Sequence, residues 1–333
     1  MENKENNKNI ENPIPIFFAA DDKYTPFIGI CLKSLIENTS DSNHYLIKIL
    51  HTDIKASNRK RLLKLQKENV DIEFVDLNYY IDSIKDKLYT RDYYSKTTYF
   101  RLFIPNLYPQ FNKAIYIDSD TIIINDVANL FNIDMEDNLI AGVPDGIIQN
   151  FEVYRTYSEK VVGMADYRNY FNAGVILMNL DELRKYDFQN KFTYSLEMIK
   201  FPVAQDQDYL NRLCKGRVKI IDFGWNVMPT ARIGNLEEKD IKIIHYNFAY
   251  KPWHFENVPL SEYFWKYAEQ TEFLDEVKKI KEAYTEEQRF KDREAEKNLE
   301  ILALKECSCV GDDRYLRKNN EVKEVENIKK TKK

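Results

Sequence analysis

Two carboxylates, Asp118 and Asp120, follow an apolar run in the stretch AIYIDSDTIII (114–124). Charges beside such a run are costly unless another group compensates them. An alternating strand would aim the two side chains at opposite faces, so at least one must lie in the following turn, where both can reach one ion. Carboxylate oxygens suit Mg²⁺, Mn²⁺ or Ca²⁺. The spacing indicates a divalent metal site; carboxylates that only cap a turn are the alternative.

A histidine and a lysine further along the chain could extend this site. His245, one of four histidines, ends the apolar run IKIIHY, and Lys251 begins the stretch KPWHF. Two aspartates and a histidine suit Mn²⁺, which accepts imidazole better than Mg²⁺ does. A lysine beside a metal is a natural phosphate contact. The alternatives are a structural histidine and a surface lysine beside a Pro-Trp turn.

The elements that must position these residues indicate an α/β fold. Apolar runs predict strands at 14–20, 45–50 and 72–77. One helix, which Thr25 can cap, follows the first strand, and another is predicted at 58–69. Strands and helices alternating at this spacing predict a parallel sheet with helices on both faces.

Parallel sheets bind ligands at the carboxyl ends of their strands. Asp21 and Asp22 directly follow the first predicted strand, and Asp118 and Asp120 follow a later one. Both acidic pairs are therefore expected to open onto one rim of the sheet.

Three later segments bring further polar residues to predicted element ends. A short strand ends at Asp145, and the strand-like stretch YFNAGVILMNL (170–180) contains Asn172. The stretch AQDQDYLNRLCKG (204–216) looks like a loop entering a helix, with Asp206 and Gln207 at its start. A solvated helix start, where acidic residues favour the dipole, is the alternative for this last group.

The bulk composition excludes several classes of protein. The 333 residues are 44% hydrophobic, which is enough for a sizeable core, and a net charge of −5 with mixed signs gives no indication of nucleic-acid binding. No apolar run reaches the roughly 18 residues of a membrane span, and the start of the chain lacks the apolar middle of a signal peptide. The four cysteines show no metal-ligand spacing. A cytoplasmic protein with free thiols is expected.

Seven motifs in order resemble glycosyltransferase family 8, the retaining hexosyltransferases of GT-A fold that include bacterial lipooligosaccharide galactosyltransferases and glycogenin. The matching stretches span about residues 14–255. They are FFAADDKY, TTYFRLFIP, AIYIDSDTIII, AGVPD, YFNAGVILMNL, QDQDYLN and HYNFAYKPW. The resemblance implies a Rossmann-like, mostly parallel sheet flanked by helices, with a C-terminal helical extension.

The resemblance also implies a role for each site residue. The donor would be a UDP-sugar carrying glucose or galactose, and the ion would be Mn²⁺, with Mg²⁺ as the alternative. The implied metal ligands are Asp118, Asp120 and His245. The implied contacts to the nucleotide, the diphosphate and the sugar are Ala19, Asp21, Tyr24, Arg101, Ser119 and Lys251. The implied catalytic residues around the sugar are Asp145, Asn172, Asp206 and Gln207.

Two positions depart from the family pattern. Lys23 stands where some relatives carry asparagine, which puts its nucleotide contact in doubt. Phe248 stands where the motif H-x-x-G-x-x-K-P-W has glycine. A bulky side chain there is expected to change how the backbone approaches the phosphate.

The implied chemistry is transfer of a hexose with retention of configuration. Breaking the sugar–phosphate bond puts negative charge on the departing UDP, which a metal and a lysine stabilise. Double displacement would require a carboxylate nucleophile, but the nearest family position here is Gln207, an amide. Attack by the acceptor on the face that UDP leaves is therefore favoured, with Asp206 as the alternative nucleophile.

Two other functions remain open from the sequence. Haloacid-dehalogenase phosphatases also place D-x-D after a strand, but they need threonine two positions after the second aspartate, and Thr121 is adjacent to Asp120. The second is a nucleotide-sugar-binding protein without turnover, of which Phe248 could be a sign.

The predicted organisation has four parts: a flexible leader (1–13), a GT-A domain (14–258), a helical arm (259–306) and a disordered tail (307–333). The arm, charged and solvated in pattern, could contact a membrane surface, a partner or a second copy. The acceptor is a glycan, glycolipid or glycoprotein, and variable loops, among them 146–169, are expected to form its pocket.

Overall fold

The computed structural model of the protein describes residues 13–82, 96–231 and 236–309. Within them, a mostly parallel seven-stranded sheet is flanked by helices, and a helical region follows it, as predicted. The proposed leader, apart from Pro13, and most of the proposed tail lie outside the described residues. The division into leader, domain, arm and tail stays a prediction.

Of the nine strands found in the described residues, seven form the main sheet, in the order β3-β2-β1-β4-β7-β6-β8. Strands β1, β2, β3 and β4 are mutually parallel, whereas β7 runs antiparallel to both β4 and β6. Strands β5 and β9 form a separate antiparallel pair. The bounds are β1 (Ile14–Ala19), β2 (Tyr45–His51), β3 (Val70–Asp76), β4 (Lys113–Ile117), β5 (Thr121–Ile123), β6 (Ile140–Pro144), β7 (Phe171–Asn179), β8 (Val218–Ile220) and β9 (Ile243–His245).

Thirteen α-helices lie in the described part of the chain. They are α1 (Thr25–Glu37), α2 (Ala56–Leu63), α3 (Asn78–Asp82), α4 (Ile104–Leu107), α5 (Ala128–Phe131), α6 (Gly146–Asn150), α7 (Glu152–Tyr157), α8 (Leu180–Lys185), α9 (Phe188–Met198), α10 (Asp206–Cys214), α11 (Ser261–Ala268), α12 (Leu274–Ala283) and α13 (Glu286–Ser308). The last helix continues two residues past the predicted end of the arm.

Each face of the sheet carries its own apolar core. Side chains alternate along β1, so that Ile16 and Phe18 enter one cluster while Phe17 and Ala19 enter the other. All four are buried, because the parallel strand is covered on both faces. This explains why the strand has an unbroken apolar sequence rather than an alternating one.

Two helix boundaries differ from the prediction. Thr25 is the first residue of α1 rather than its cap, and its hydroxyl donates to the carbonyl of Asp22 in the preceding 3₁₀ turn. Helix α2 ends at Leu63, well before the predicted residue 69. Asn69 instead turns the chain into β3, because its side-chain amide donates to the carbonyls of Ser40 and Asn43.

The helices after residue 260 pack on the domain rather than standing free as a solvated arm. Helix α11 buries Phe264 against α1, and α13 packs chiefly against α7. Leu299 and Ala303 form the buried stripe of α13 and belong to the second core cluster. The pattern around them is strongly charged because the remaining faces of α13 meet solvent. In the described segments, no helix combines the length and apolarity needed to cross a membrane.

The start of α13 is fixed by an aromatic stack. The rings of His254 and Tyr284 lie 3.8 Å apart and nearly parallel, and Arg289 donates to the His254 carbonyl at 2.7 Å. Burial, with the charges of Lys251 and Arg289, lowers the pKa of His254 to about 3. The imidazole is therefore neutral in the folded protein at any pH near neutrality.

This histidine predicts acid sensitivity of the fold. The folded pKa lies below the unfolded value near 6.5, so protons favour the unfolded chain and stability falls as pH falls from about 6.5 towards 3. Between pH 7 and pH 5 the native protein should lose about 1–2 kcal/mol more unfolding free energy than a His254→Phe variant, which keeps the stack. Urea unfolding at the two pH values measures this difference; equal losses would contradict it.

Candidate active site

One cavity of about 370 Å³ lies at the carboxyl-terminal rim of the sheet. All thirteen site residues predicted from the sequence line it: Ala19, Asp21, Tyr24, Arg101, Asp118, Ser119, Asp120, Asp145, Asn172, Asp206, Gln207, His245 and Lys251. Asp22 does not; it turns away to bind Lys55 at 2.9 Å, and that bond lowers its pKa to about 2. Only one member of the first acidic pair therefore faces the cavity.

The two aspartates and the histidine converge at the centre of the cavity. Asp118 and Asp120 lie in the turn between β4 and β5, and the pairing of β5 with β9 sets His245 opposite Thr121. Nε2 of His245 is 3.3 Å from Oδ1 of Asp120 and 3.9 Å from Oδ2 of Asp118. One ligand atom from each residue falls within 4.8 Å of the others. This set of oxygen and nitrogen donors suits a divalent ion.

A glycine makes the approach of these groups possible. A Cβ at Gly174 of β7 would lie 2.2 Å from Cε1 of His245 and 2.8 Å from Oδ2 of Asp118. The Gly174 carbonyl also accepts a 2.7 Å hydrogen bond from the backbone of Asp118. Any side chain at this position would displace two members of the cluster.

Asparagine side chains orient the histidine from behind. Asn226 lies 3.0 Å from Nδ1 of His245 through its Oδ1, and its amide donates to Oδ1 of Asn172 at 2.9 Å. All three residues are buried. Because Oδ1 of Asn226 can only accept, Nδ1 carries the proton and Nε2 is left to face the carboxylates.

Asp120 and Lys251 form an ion pair beside the cluster. The Lys251 ammonium contacts Oδ2 of Asp120 and the carbonyl of Tyr246. Burial alone would raise the pKa of Asp120, but the charge of the Lys251 ammonium outweighs it, with His245 adding to the effect, and holds that pKa well below the ordinary value. Asp120 is therefore ionised, and Lys251 is held at the edge of the cluster of Asp118, Asp120 and His245.

Arg101 joins the cluster of Asp118, Asp120 and His245 to the start of α10. Its Nη2 is 2.9 Å from Oδ1 of Asp118, which also accepts from Tyr116 at 2.8 Å. Its Nε is 3.1 Å from Oδ2 of Asp206, but the Nε–H points to the Thr98 carbonyl, so this second contact is electrostatic only. Burial outweighs the attraction of Arg101 and raises the pKa of Asp206 to about 7. The alternative of a solvated helix start is wrong for Asp206, which is 5% exposed.

Asp145, Asn172 and Gln207 form one hydrogen-bonded group. Oδ1 of Asp145 caps α6, whereas its Oδ2 accepts from Asn172 at 2.9 Å and from Gln207 at 3.1 Å. The Gln207 carbonyl oxygen accepts the backbone N–H of Ala173 at 2.9 Å. These bonds fix the Gln207 amide with its oxygen towards β7.

Aromatic rings and the end of β1 form the opposite side of the cavity. Ser119 donates to the Ala19 carbonyl at 2.9 Å, which ties the aspartate turn to β1. Trp253 stacks on Phe27 with ring centroids 4.2 Å apart, and Tyr24 contacts both rings edge-on. The result is a slot with an apolar wall beside the two aspartates and the histidine.

Phe248, at the position where the family motif has glycine, adopts a left-handed backbone with φ 58°. A bulky residue is strained in this conformation and glycine is not. Its side chain packs on the second core cluster and lines the cavity. The main chain thus keeps the glycine-like shape, and the phenyl ring takes up cavity space.

Several contributors could not be found from the sequence. Asn226, Gly174 and α13 carry no recognisable catalytic pattern, although Gly174 lies in the quoted stretch NAGV. Asp208, in the same helix turn as Asp206, is fully buried and accepts hydrogen bonds from the hydroxyls of Tyr157 and Tyr170. Tyr170 in turn lies 3.4 Å from the Gln207 amide.

Comparisons with known proteins agree with this geometry. The family model "Glycosyl transferase family 8" matches residues 15–257. A candidate glycosyltransferase of Haemophilus influenzae is 31% identical over 247 residues, covering 72% of each chain. The lipopolysaccharide 1,2-glucosyltransferase of Escherichia coli is 25% identical over 269 residues, covering 74% of this chain and 75% of its own.

Solved structures give the same result. The galactosyltransferase LgtC, in complex with donor and acceptor sugar analogues, superposes with a TM-score of 0.67 at 26% identity, covering 78% of this chain and 96% of its own. The bifunctional glycosyltransferase WbbM superposes with a TM-score of 0.71 at 26% identity, covering 81% of this chain and 52% of its own, so the present chain spans about half of WbbM. The fold is that of GT-A glycosyltransferases, and the chain belongs to glycosyltransferase family 8.

Proposed function

We propose that the protein is a metal-dependent retaining glycosyltransferase that moves glucose or galactose from a UDP-sugar to a saccharide-bearing acceptor. The observation that carries the proposal is the cluster of Asp118, Asp120 and His245 at the centre of the cavity, with Lys251 at its edge. LgtC, a structural relative crystallised with donor and acceptor analogues, supports a nucleotide-sugar donor. Membership of this family favours transfer over the phosphatase alternative.

The donor atoms fit a hard divalent ion. Two aspartate side chains and an imidazole whose Nε2 faces them leave coordination positions for diphosphate oxygens, and an imidazole ligand favours Mn²⁺ over Mg²⁺. When bound, the ion would neutralise the charge that develops on the diphosphate. The absence of a side chain at Gly174 supports this fit, because a Cβ there would push His245 and Asp118 out of the cluster.

Lys251 supplies the second positive charge for the leaving group. In the structure its ammonium is paired with Asp120, so an ion between Asp118 and Asp120 would compete for that carboxylate and leave Lys251 to meet the diphosphate. A cation placed where negative charge develops lowers the barrier to bond breaking. The slot at Tyr24 and Trp253 would hold the uracil ring, with Asp21 at its rim.

Gln207 is proposed to face the anomeric carbon. An amide is a poor nucleophile, and Asp206 is buried with a pKa raised to about 7 by its desolvation. Neither suits a covalent intermediate at that carbon. We therefore favour attack by the acceptor hydroxyl on the face that UDP leaves, with Asp145 and Asn172 fixing sugar hydroxyls.

A panel of UDP-sugars tests the function. Slow hydrolysis of UDP-glucose or UDP-galactose should appear with Mn²⁺ and vanish with EDTA, and one of the two should be preferred. UDP release measured by a coupled assay gives both the activity and the donor. Tight UDP binding without turnover of any donor would instead identify a binding protein.

Replacing Gln207 by alanine should lower kcat about 10- to 100-fold and change the Kd for UDP less than twofold. The side chain orients groups around the sugar and has no role at the nucleotide end. Steady-state kinetics and calorimetry with UDP measure the two quantities. Gln270→Ala, an exposed site on the last turn after α11, is the control. Loss of UDP affinity would show that Gln207 acts elsewhere.

A further inference from the structure

Part of the cavity remains once the proposed donor contacts are assigned. Its remaining walls come from α6 and α7, from Phe248 and from α13. From α13, the side chains of Asp292 and Leu299 line it. A retaining transfer requires an acceptor hydroxyl next to the donor sugar, and this is the cavity space that the donor leaves open.

Helix α13 is held rigidly in this position. The stack of Tyr284 on His254 fixes its start, and Leu299 and Ala303 pack in the cluster that contains Tyr154 and Tyr157 of α7. The helix therefore contacts two parts of the cavity. Its start lies against the turn at 251–255, beside the proposed diphosphate position, and its later turns lie against α7. Because α13 is packed at both of these contacts, its side chains keep fixed positions and can discriminate between acceptors.

The chemistry of the wall is that of a site for an uncharged sugar. Oδ2 of Asp292 accepts the hydroxyl of Tyr284 at 2.6 Å, whereas Oδ1 accepts no hydrogen bond from the residues that the structure describes. Phe248 offers an aromatic face in a strained backbone conformation, of the kind that collects at functional sites. Carboxylates pair with sugar hydroxyls, and aromatic rings cover the apolar faces of pyranose rings.

We propose that Asp292, Phe248 and Leu299 form the acceptor subsite, and that the acceptor terminates in an uncharged pyranose. An acceptor hydroxyl donates to Asp292, and its ring lies against Phe248. The inference rests on the donor assignment made above, because the acceptor subsite is the part of the cavity that the donor does not fill.

Charge excludes the acidic sugars. Asp292 presents a carboxyl group at the wall, where burial raises its pKa, and Glu296 follows it one turn later on the same helix face. Burial, together with the charge of Asp292, raises the pKa of Glu296 to about 7. Both shifts reflect the cost of placing a negative charge in a partly desolvated site, and a carboxylate on the acceptor would meet the same cost. A glucuronide should therefore bind more weakly than the matching glucoside.

Binding of para-nitrophenyl β-glucoside and β-glucuronide to the full chain, loaded with UDP and Mn²⁺, tests the proposal by saturation-transfer NMR. The glucoside should bind about tenfold more tightly than the glucuronide. Asp292→Asn should weaken glucoside binding about tenfold, as expected for a lost hydrogen bond to a charged group, and reduce the preference. Phe248→Gly, which suits the local backbone, should weaken both ligands. Glu300→Gln, an exposed carboxylate on α13, should match the native protein.

Equal binding of both glycosides, or an Asp292→Asn variant that binds the glucoside like the native protein, would overturn the proposal. Hydrolysis of the UDP-sugar is measured separately. If it is absent while the glycoside pattern holds, the transferase assignment fails and the subsite stands. If hydrolysis is present and the pattern fails, the subsite fails alone.

Discussion

Replacing Asp120 by asparagine should reduce Mn²⁺-dependent turnover of the UDP-sugar at least about a hundredfold. Asp120 contributes one of the two carboxylates of the cluster and is the partner of Lys251. The substitution removes a full negative charge from a site that has only two, and it leaves the buried ammonium of Lys251 facing a neutral amide. Both changes weaken the site where the diphosphate would be neutralised.

The measurement should separate metal binding from chemistry. Titration of Mn²⁺ followed by electron paramagnetic resonance should show a weaker Kd in Asp120→Asn, and saturating Mn²⁺ should recover only part of kcat. Asp137→Asn, the same change at an exposed position, should leave both values as in the native protein. A variant that binds Mn²⁺ normally and turns over at the native rate would remove Asp120 from the metal site.

The strand-end rule predicted most of this site because it depends only on strand order and direction. Asp21, Asp118 and Asp120 line one cavity because β1 and β4 are parallel neighbours, and their carboxyl ends share one rim. His245 meets them through the pairing of β5 with β9, a tertiary contact with no local signal. Its place at the end of the apolar run IKIIHY made that histidine a candidate ligand, but only the pairing of β5 with β9 brings it to the two aspartates.

Other features depended on contacts that local patterns do not encode. Helix α13 has the charge pattern of a solvated helix, and only the burial of Leu299 and Ala303 shows that it closes the cavity. Asp22 resembles Asp21 in the sequence, yet Lys55 and Asn58 draw it away from the rim. Patterns of hydrophobicity fix which elements form, whereas the partner of a given charge is settled by packing.

Phe248 departs from the family motif in its side chain but not in its backbone conformation. The sequence shows a bulky residue where the motif has glycine, and the structure shows that the backbone keeps φ 58° regardless. The glycine-like course of the main chain is thus preserved at a cost of about 1 kcal/mol in strain. The added side chain changes the shape of the cavity rather than the course of the chain.

Replacing Gly174 by alanine should abolish Mn²⁺ binding while the protein still folds. The added methyl would lie 2.2 Å from Cε1 of His245, and neither β7 nor β9 can move without breaking its pairing in a buried sheet. The imidazole must therefore rotate away from Asp118 and Asp120. We expect a loss of about 1–3 kcal/mol in unfolding free energy from overpacking, together with at least a hundredfold loss of Mn²⁺ affinity.

Gly29→Ala provides a matched control for the loss of unfolding free energy that an overpacked methyl group causes. Its added methyl would also lie 2.2 Å from a neighbouring atom, but that atom belongs to the ring of Phe273, in the core beside α1. Both variants should lose similar unfolding free energy in urea, and only Gly174→Ala should lose the metal. Equal Mn²⁺ affinity in the two variants would show that His245 is not a ligand, since no geometry leaves its ring in place beside a methyl at residue 174.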